Sequence, residues 1–114
     1  MDAEKTVFLN PTNIVRAAAI VKGANPDLMT EPGRSMLEVK ARRLAAHVMR
    51  TELGASLREI GIALGRSSND AVNNLLAGYQ DEIGIHHIDY ADELAKIKEV
   101  VRDQENNPDD DQQK

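Results

Sequence analysis

Residues 54–72 read GASLREIGIALGRSSNDAV, and the predicted architecture rests on this stretch. Ser56 is followed three residues later by Glu59, which is the capping-box spacing of a helix start. Gly65 is the residue type that most often ends a helix, because it adopts the left-handed conformation without steric cost. The stretch therefore predicts a short helix, a tight turn and the start of a second helix.

The helix after the turn is predicted over residues 68–80. Ser67 and Asp70 have the spacing of a second cap at its start. Two short helices joined by a glycine turn are typical of a helix-turn-helix, in which the second helix can lie in the DNA major groove. The apolar residues of this second helix recur at helical spacing: Ala71, Val72, Leu75, Leu76 and Tyr79.

The flanking sequence predicts further helices and no strand. We expect Ser35 and Glu38 to cap the longest helix, Leu37 to face the core, and Gly84 to separate the last two helices. His47, on the longest helix, is predicted to be packed and partly buried. The additional helices are predicted over residues 10–22, 35–53 and 90–102, with a short helical turn at 25–29.

Length and composition indicate one soluble helical domain. The chain has 114 residues, of which 41% are hydrophobic and 3% aromatic, so its core must be built from small aliphatic side chains that suit packed helices. The absence of cysteine excludes disulfides and cysteine-ligated zinc. We expect a flexible N-terminus at 1–9, a helical domain at 10–103 and a disordered acidic tail at 104–114.

The net charge of −5 conceals an uneven distribution. Residues 34–66 carry seven basic and three acidic groups, whereas residues 81–114 carry four basic and eleven acidic groups. Screening limits the reach of a charge to about 8–10 Å, so the basic middle can attract phosphate despite the acidic total. No signal peptide or run of about 20 apolar residues is evident, which predicts a cytoplasmic protein, nucleoid-associated if it binds DNA, without a membrane partner.

No pattern in the sequence indicates catalysis, a metal or a cofactor. His86, His87 and Asp89 lie close in sequence, but adjacent side chains seldom converge on one ion and no third ligand has a fitting spacing. No Ser/His/Asp arrangement is supported. The chain is therefore predicted not to be an enzyme, and to have no catalytic residues, metal or cofactor.

The opening stretch and its flanking helices resemble the C-terminal DNA-binding domain of the bacterial replication initiator DnaA. The similarity extends over about residues 10–102. It implies a compact, all-α, multi-helix domain with a helix-turn-helix, of the Trp-repressor-like type, that binds double-stranded DNA. The phosphate-binding loop GxxxxGK[ST] of the DnaA ATPase does not occur in the sequence. The shared positions are Ala41-Arg42, Gly54, Ser56-Leu57, Glu59-Ile60-Gly61, Gly65 and Val72.

The resemblance implies roles for several residues before the turn. Arg42 matches the family's minor-groove arginine, and Arg43 lies beside it; narrow minor grooves attract arginine. Arg50 matches a basic position that can meet phosphate. Ser56 and Leu57 match the start of the first helix-turn-helix element, whose backbone amides can approach a phosphate.

The chain departs from the family at the start of the predicted recognition helix, where family members carry Arg-Asp-His. Arg66 stands one place before the family's arginine, and Arg58 replaces a proline. Asn69 can replace the base-reading histidine, because an amide both donates and accepts at a base edge. Asp70 replaces a hydroxyl residue and can accept from cytosine N4. The predicted DNA-binding set is Arg42, Arg43, Arg50, Ser56, Leu57, Arg58, Arg66, Ser67, Ser68, Asn69, Asp70 and Asn73.

Two functions follow from these features. The first is double-stranded DNA binding, sequence-specific or structure-dependent, in replication or transcription control. The alternative is a protein-interaction module on the same scaffold that binds replication or transcription machinery. The two differ in the expected charge of the recognition face: if Asp70 and the neighbouring asparagines project outward without compensating arginine, a protein partner is favoured.

Overall fold

A computed structural model describes residues 7–32 and 35–106 of the chain. Within these ranges the protein is a compact globule of five α-helices without strands, which confirms the all-α prediction. None of the described helices is both long enough and apolar enough to cross a membrane. The elements are α1 (Pro11–Lys22), a 3₁₀ turn (Pro26–Leu28), α2 (Met36–Glu52), α3 (Leu57–Leu64), α4 (Asn69–His86) and α5 (Tyr90–Asn106).

Several predicted helix ends are confirmed. The Asn10 side chain caps α1 by accepting from the backbone of Asn13, and Gly23 ends this helix with φ of 77°. The capping box of α3 has the predicted partners, with the Ser56 hydroxyl accepting from the Glu59 amide at 3.0 Å and the Glu59 carboxylate accepting from the Ser56 amide at 2.8 Å. These helix ends depend on hydrogen bonds between near neighbours in the chain, so residue type and spacing predict them directly.

The start of α2 differs from the prediction. Ser35 precedes the helix, but its side chain makes no cap hydrogen bond, so the predicted box with Glu38 is wrong. Leu37 is 49% exposed rather than inward-facing. The buried face of α2 begins one turn later, at Ala41.

The cap of α4 is shifted by one residue. The Arg66 amide donates to the Gly61 carbonyl at 2.8 Å, so Arg66 belongs to the turn that closes the end of α3. The cap position of α4 therefore comes one residue later than predicted. Ser68, not Ser67, then caps α4 by accepting from the Ala71 amide at 3.0 Å. Asp70 lies in the first turn of α4 and takes no part in a capping box.

The helices near the C-terminus are longer than predicted. α4 continues through Gly84 to His86 and ends at His87, whose φ is 56°. One interior glycine costs a helix only about 0.5–1 kcal/mol, which does not terminate it. α5 extends to Asn106, and no proline interrupts the chain between Tyr90 and Pro108.

The predicted flexible and disordered ends fall partly within the described residues. Val7 and Leu9 are half-buried against the core, so the predicted flexible segment does not include them. Residues 104–106 belong to α5 rather than to a disordered tail. Residues 1–6 and 107–114, to which the rest of these two predictions applies, lie outside the described ranges.

The core surrounds α2, which packs against α1, α3 and α4, while α5 packs against α1. The alanines of α1 and α2 are buried, and such small side chains suit closely packed helices. Fully buried larger side chains fill the remaining volume: Ile14, Met29, Leu44, Val48, Met49, Ile60, Leu64, Val72, Tyr79 and Ile97.

Buried polar contacts join α4 to other helices. The Tyr79 hydroxyl donates to the Glu93 carboxylate at 2.6 Å, and the second oxygen of Glu93 pairs with Lys22, which connects α4, α5 and α1. Burial, together with this hydrogen bond, raises the pKa of Tyr79, so the hydroxyl keeps the proton that it donates. Arg43 pairs with buried Glu82 at 2.6 Å and so links α2 to α4.

His47 is partly buried, as predicted, and packs against the rings of both Tyr79 and Tyr90, which also contact each other. The imidazole centroid is 4.8 Å from the Tyr79 ring and 4.6 Å from the Tyr90 ring. Burial lowers the pKa of His47, while the nearby Glu52 carboxylate acts in the opposite direction. The folded state therefore favours the neutral imidazole over the charged form.

A stability difference between Gly65→Ala and Gly84→Ala is expected. Gly65 has φ of 69°, and an added Cβ would lie 2.5 Å from the Thr30 carbonyl oxygen, so the alanine variant should lose about 2 kcal/mol of unfolding free energy or more. Gly84 is in the α4 helix with open space around it, so its alanine variant should gain about 0.5–1 kcal/mol. Urea denaturation measures both; equal effects would contradict the turn geometry.

Loss of stability on mild acidification is expected to depend on His47. Because the folded-state pKa of His47 lies below its ordinary value of about 6.5, the unfolded chain takes up the proton first as pH falls. The unfolding free energy should therefore decline as pH falls through about 6.5, and His47→Gln should flatten that decline. Urea denaturation between pH 7.5 and 5.5 tests this, with exposed His86→Gln as the control; parallel curves for wild type and His47→Gln would refute it.

Candidate nucleic-acid interface

A cleft of about 340 Å³ lies between α3 and the start of α4. We call it the α3–α4 cleft. It brings together half of the predicted DNA-binding set, and two further residues, Gly61 and Ile62, complete its lining. The predicted residues that line it are Leu57, Arg58, Arg66, Ser67, Ser68 and Asn69.

The turn between the helices holds the two walls of this cleft together. A Cβ on Gly61 would lie 2.7 Å from the Arg66 carbonyl oxygen, so only glycine at this position of α3 allows the chain after the turn to pass so closely. The Val72 side chain packs 3.5 Å from the same point. The start of α4 is therefore fixed against α3 by backbone approach and apolar packing.

Two arginines supply the positive charge of the cleft. Arg58 is exposed in the first turn of α3. Arg66 is half-buried, and its guanidinium donates to the carbonyls of Leu64 at 3.3 Å, Gly65 at 3.4 Å and Glu31 at 3.5 Å. Hydrogen bonds of this length are weak, so both guanidinium groups remain available to an anion.

The first two turns of α4 expose polar side chains beside the cleft. Asn69, Asp70, Asn73 and Asn74 are all exposed, and in the described part of the chain none of their side chains makes a hydrogen bond or an ion pair. The four positions differ by one, three, four or five residues, so they share one side of the helix. Residues 69–86 contain no lysine or arginine, so the first two turns of α4 contribute no basic group beside the cleft.

Arg42 does not lie on the surface. Its side chain is 1% exposed, and its guanidinium donates to the carbonyls of Met29 at 2.9 Å, Leu28 at 3.0 Å and Glu31 at 2.7 Å. Burial, and then the positive charge of Arg66, lower the pKa of Arg42, although an arginine remains charged. The minor-groove role that the resemblance implied therefore does not transfer to Arg42, because its guanidinium is buried and donates to backbone carbonyls.

Three further residues of the predicted set lie away from the cleft. Arg43 is held by Glu82, with its side chain lying over Gly78 of α4. Arg50 is exposed, but it donates to the Ala55 carbonyl at 2.8 Å. Ser56 serves as the helix cap, and the carboxylate of its partner Glu59 occupies the α3 start where a phosphate was expected.

A larger, mainly apolar groove of about 790 Å³ lies on the other side of α3. Sequence reasoning did not predict this α1–α3 groove. Ile62 lines both the groove and the cleft and is 69% exposed, so the two concave surfaces meet at this residue. In the sequence, the position of Ile62 off the inward face of α3 was the one indication of an exposed apolar surface there. The groove is lined by Pro11, Thr12, Val15, Arg16, Pro26, Asp27, Thr30, Leu53, Ala55, Glu59, Ile62 and Ala63.

The described ranges contain no group of three or more His, Asp or Glu side chains placed to hold a metal ion. His86 and His87 are both exposed. No known protein family, curated protein or solved structure matches the chain.

Arg42→Ala is expected to destabilise the fold severely. Removing the guanidinium leaves the buried Met29 carbonyl without its donor, at about 1–3 kcal/mol, and leaves a cavity where a fully buried side chain stood, so a loss of about 2–4 kcal/mol is expected. Arg58→Ala, at an exposed arginine, should change the unfolding free energy by about 0.5 kcal/mol or less. Urea denaturation compares them; a loss for Arg42→Ala as small as that of Arg58→Ala would show that the buried guanidinium is not required.

Proposed function

We propose that the chain binds double-stranded DNA through a helix-turn-helix formed by α3 and α4, in the manner of the DnaA C-terminal domain that the sequence resembles. One observation carries this proposal: the α3–α4 cleft gathers two arginines, two serines and an asparagine at the exposed start of α4. In a helix-turn-helix, the N-terminal residues of the second helix contact base edges in the major groove. Replication or transcription control is the proposed setting, in the cytoplasm or on the nucleoid.

Arg58 and Arg66 would neutralise phosphates on the DNA backbone. Their guanidinium groups are the basic groups that line the cleft, and arginine binds phosphate oxygens through a planar set of donors. The hydroxyls of Ser67 and Ser68 can add phosphate hydrogen bonds. Ser68 accepts a bond as the α4 cap, but its own hydroxyl proton stays available for donation.

The charges around this surface limit the number of phosphates that it can neutralise. With Arg42 buried and Arg43 paired to Glu82, the cleft retains two arginines, and Asp70 and Glu59 repel phosphate nearby. Each neutralised phosphate contributes about −0.9 to the slope of log K against log salt. A slope of about −2 therefore follows from the two cleft arginines.

A protein-interaction module is the second candidate, and the face of α4 favours it specifically. Asp70 and its neighbouring asparagines project outward, α4 carries no lysine or arginine, and the apolar α1–α3 groove lies next to the cleft. This is the charge pattern expected for a protein partner, such as replication or transcription machinery. Arg58 and Arg66 at the edge of that face supply partial compensation, which is why DNA remains the preferred proposal.

The salt dependence of binding is the test. Binding to duplexes of DnaA-box type and of scrambled sequence should weaken with salt, and Arg58→Gln or Arg66→Gln should each reduce the slope by about one. Lys96→Gln, at an exposed lysine on α5, is the control and should leave the slope unchanged. Fluorescence anisotropy at several salt concentrations measures all four proteins. If no duplex binds even at low salt, DNA binding is rejected and isolation of a protein partner becomes the next experiment.

A further inference from the structure

The exposed start of α4 carries an unusual set of side-chain groups for a surface that contacts DNA bases. It offers carboxamides at Asn69, Asn73 and Asn74 and one carboxylate at Asp70, with no guanidinium or ammonium group on the helix. These four side chains have no hydrogen-bond partner elsewhere in residues 7–32 and 35–106. Their donors and acceptors are therefore free to meet a ligand.

Base edges in the major groove differ in the hydrogen-bond donors and acceptors that they present to such groups. Adenine presents an acceptor and an amino donor, which a carboxamide matches with two hydrogen bonds. Cytosine presents an amino donor, which a carboxylate accepts. Guanine presents two acceptors, which arginine or lysine matches and a carboxylate repels. A surface of amides and one carboxylate thus suits the amino-bearing bases adenine and cytosine.

Asp70 is the decisive residue because the fold assigns it no other contact. Ser68 caps α4, so the Asp70 carboxylate is not used in a capping box. A carboxylate in the first turn stabilises a helix modestly through the helix dipole, which is the ordinary reason for an acid here. Beside phosphates, however, it is repulsive unless it accepts a hydrogen bond, and cytosine N4 provides that donor.

We infer that the first two turns of α4 read a short duplex site in which one strand carries adenine opposite both Asn69 and Asn73 and cytosine opposite Asp70. This inference rests on the proposed function and adds the base preference of the same surface. Asn69 and Asn73 are one helical turn apart on one side of α4, so their amides reach neighbouring base pairs. Arg66 is assigned to phosphate because it lies before the helix, at the cleft.

The test is selection of duplexes from a random-sequence pool by the wild-type protein and by Asp70→Asn. The wild-type protein should enrich a motif with one cytosine that becomes adenine for Asp70→Asn, while the other positions stay the same. The preference at that base pair should be about tenfold, the size of one good base contact. Asn73→Asp is a second, independent variant, and it should convert one adenine of the motif to cytosine.

Asp81→Asn is the matched control. Asp81 is also exposed on α4, and it lies eleven residues, or about three turns and 16 Å, beyond Asp70 on nearly the same side. Its substitution removes the same charge but should leave the motif unchanged. A general electrostatic effect would raise the affinity of both asparagine variants for every duplex.

The remaining outcomes overturn the inference. A wild-type motif with guanine on the strand read by α4, or an unchanged motif for Asp70→Asn and Asn73→Asp, would do so. Tighter binding of Asp70→Asn to all sequences would show that the carboxylate only repels phosphate. Reduced thermal stability of Asp70→Asn with the wild-type motif would show that it serves only the helix start. Absence of binding to any duplex rejects the proposed function together with this inference, whereas binding with the wrong motif rejects the inference alone.

Discussion

The buried guanidinium of Arg42 holds the segment of residues 28–31 against the body of the protein. The carbonyls of residues 28, 29 and 31 accept from this one side chain, and residues 29–31 lie outside any helix. Met29 is consequently fully buried. Buried backbone carbonyls need such donors, because water cannot reach them.

The position of the α3–α4 turn depends on that same segment. The Thr30 carbonyl oxygen lies only 2.5 Å from where a Cβ of Gly65 would be, so the turn glycine packs directly on the segment that Arg42 holds. The Glu31 carbonyl accepts from both Arg42 and Arg66, and it therefore connects the buried arginine to the cleft arginine. The cleft thus depends on a residue that does not line it.

Local chemistry explains which features could be predicted from the sequence. The ends of α1 and α3 and the membership of the cleft follow from caps, glycine turns and neighbouring positions, and each is visible in the order of residues. The burial of Arg42 could not be predicted in this way. Its partners are backbone carbonyls, which every residue possesses, and its position on α2 next to the inward face is equally typical of a solvated arginine.

The structure also differs from the sequence predictions where tertiary packing overrides a local sequence signal. Ser67 and Ser68 are equally good caps by residue type, and closure of the α3 end on Gly61 selects the second. Gly84 resembles a helix break, yet the helix continues to His86. The α1–α3 groove is formed by residues from four separate parts of the chain, and no contiguous motif reports such a surface.

The placement of polar contacts along α4 has a mechanical consequence. The ion pair and hydrogen bond that join this helix to α2 and α5 are made by Glu82 and Tyr79, in its second half, whereas its exposed amides lie in the first two turns. Asn69 is ten residues, or about 15 Å, from Tyr79. A tilt of about 5° at Tyr79 would therefore displace the first turn by about 1.3 Å, a distance comparable to the tolerance of a hydrogen bond. Lys22, Arg43 and Glu93 therefore help to orient α4 without lying next to its exposed amides, and the packing of Val72 against α3 holds the first turn of the helix directly.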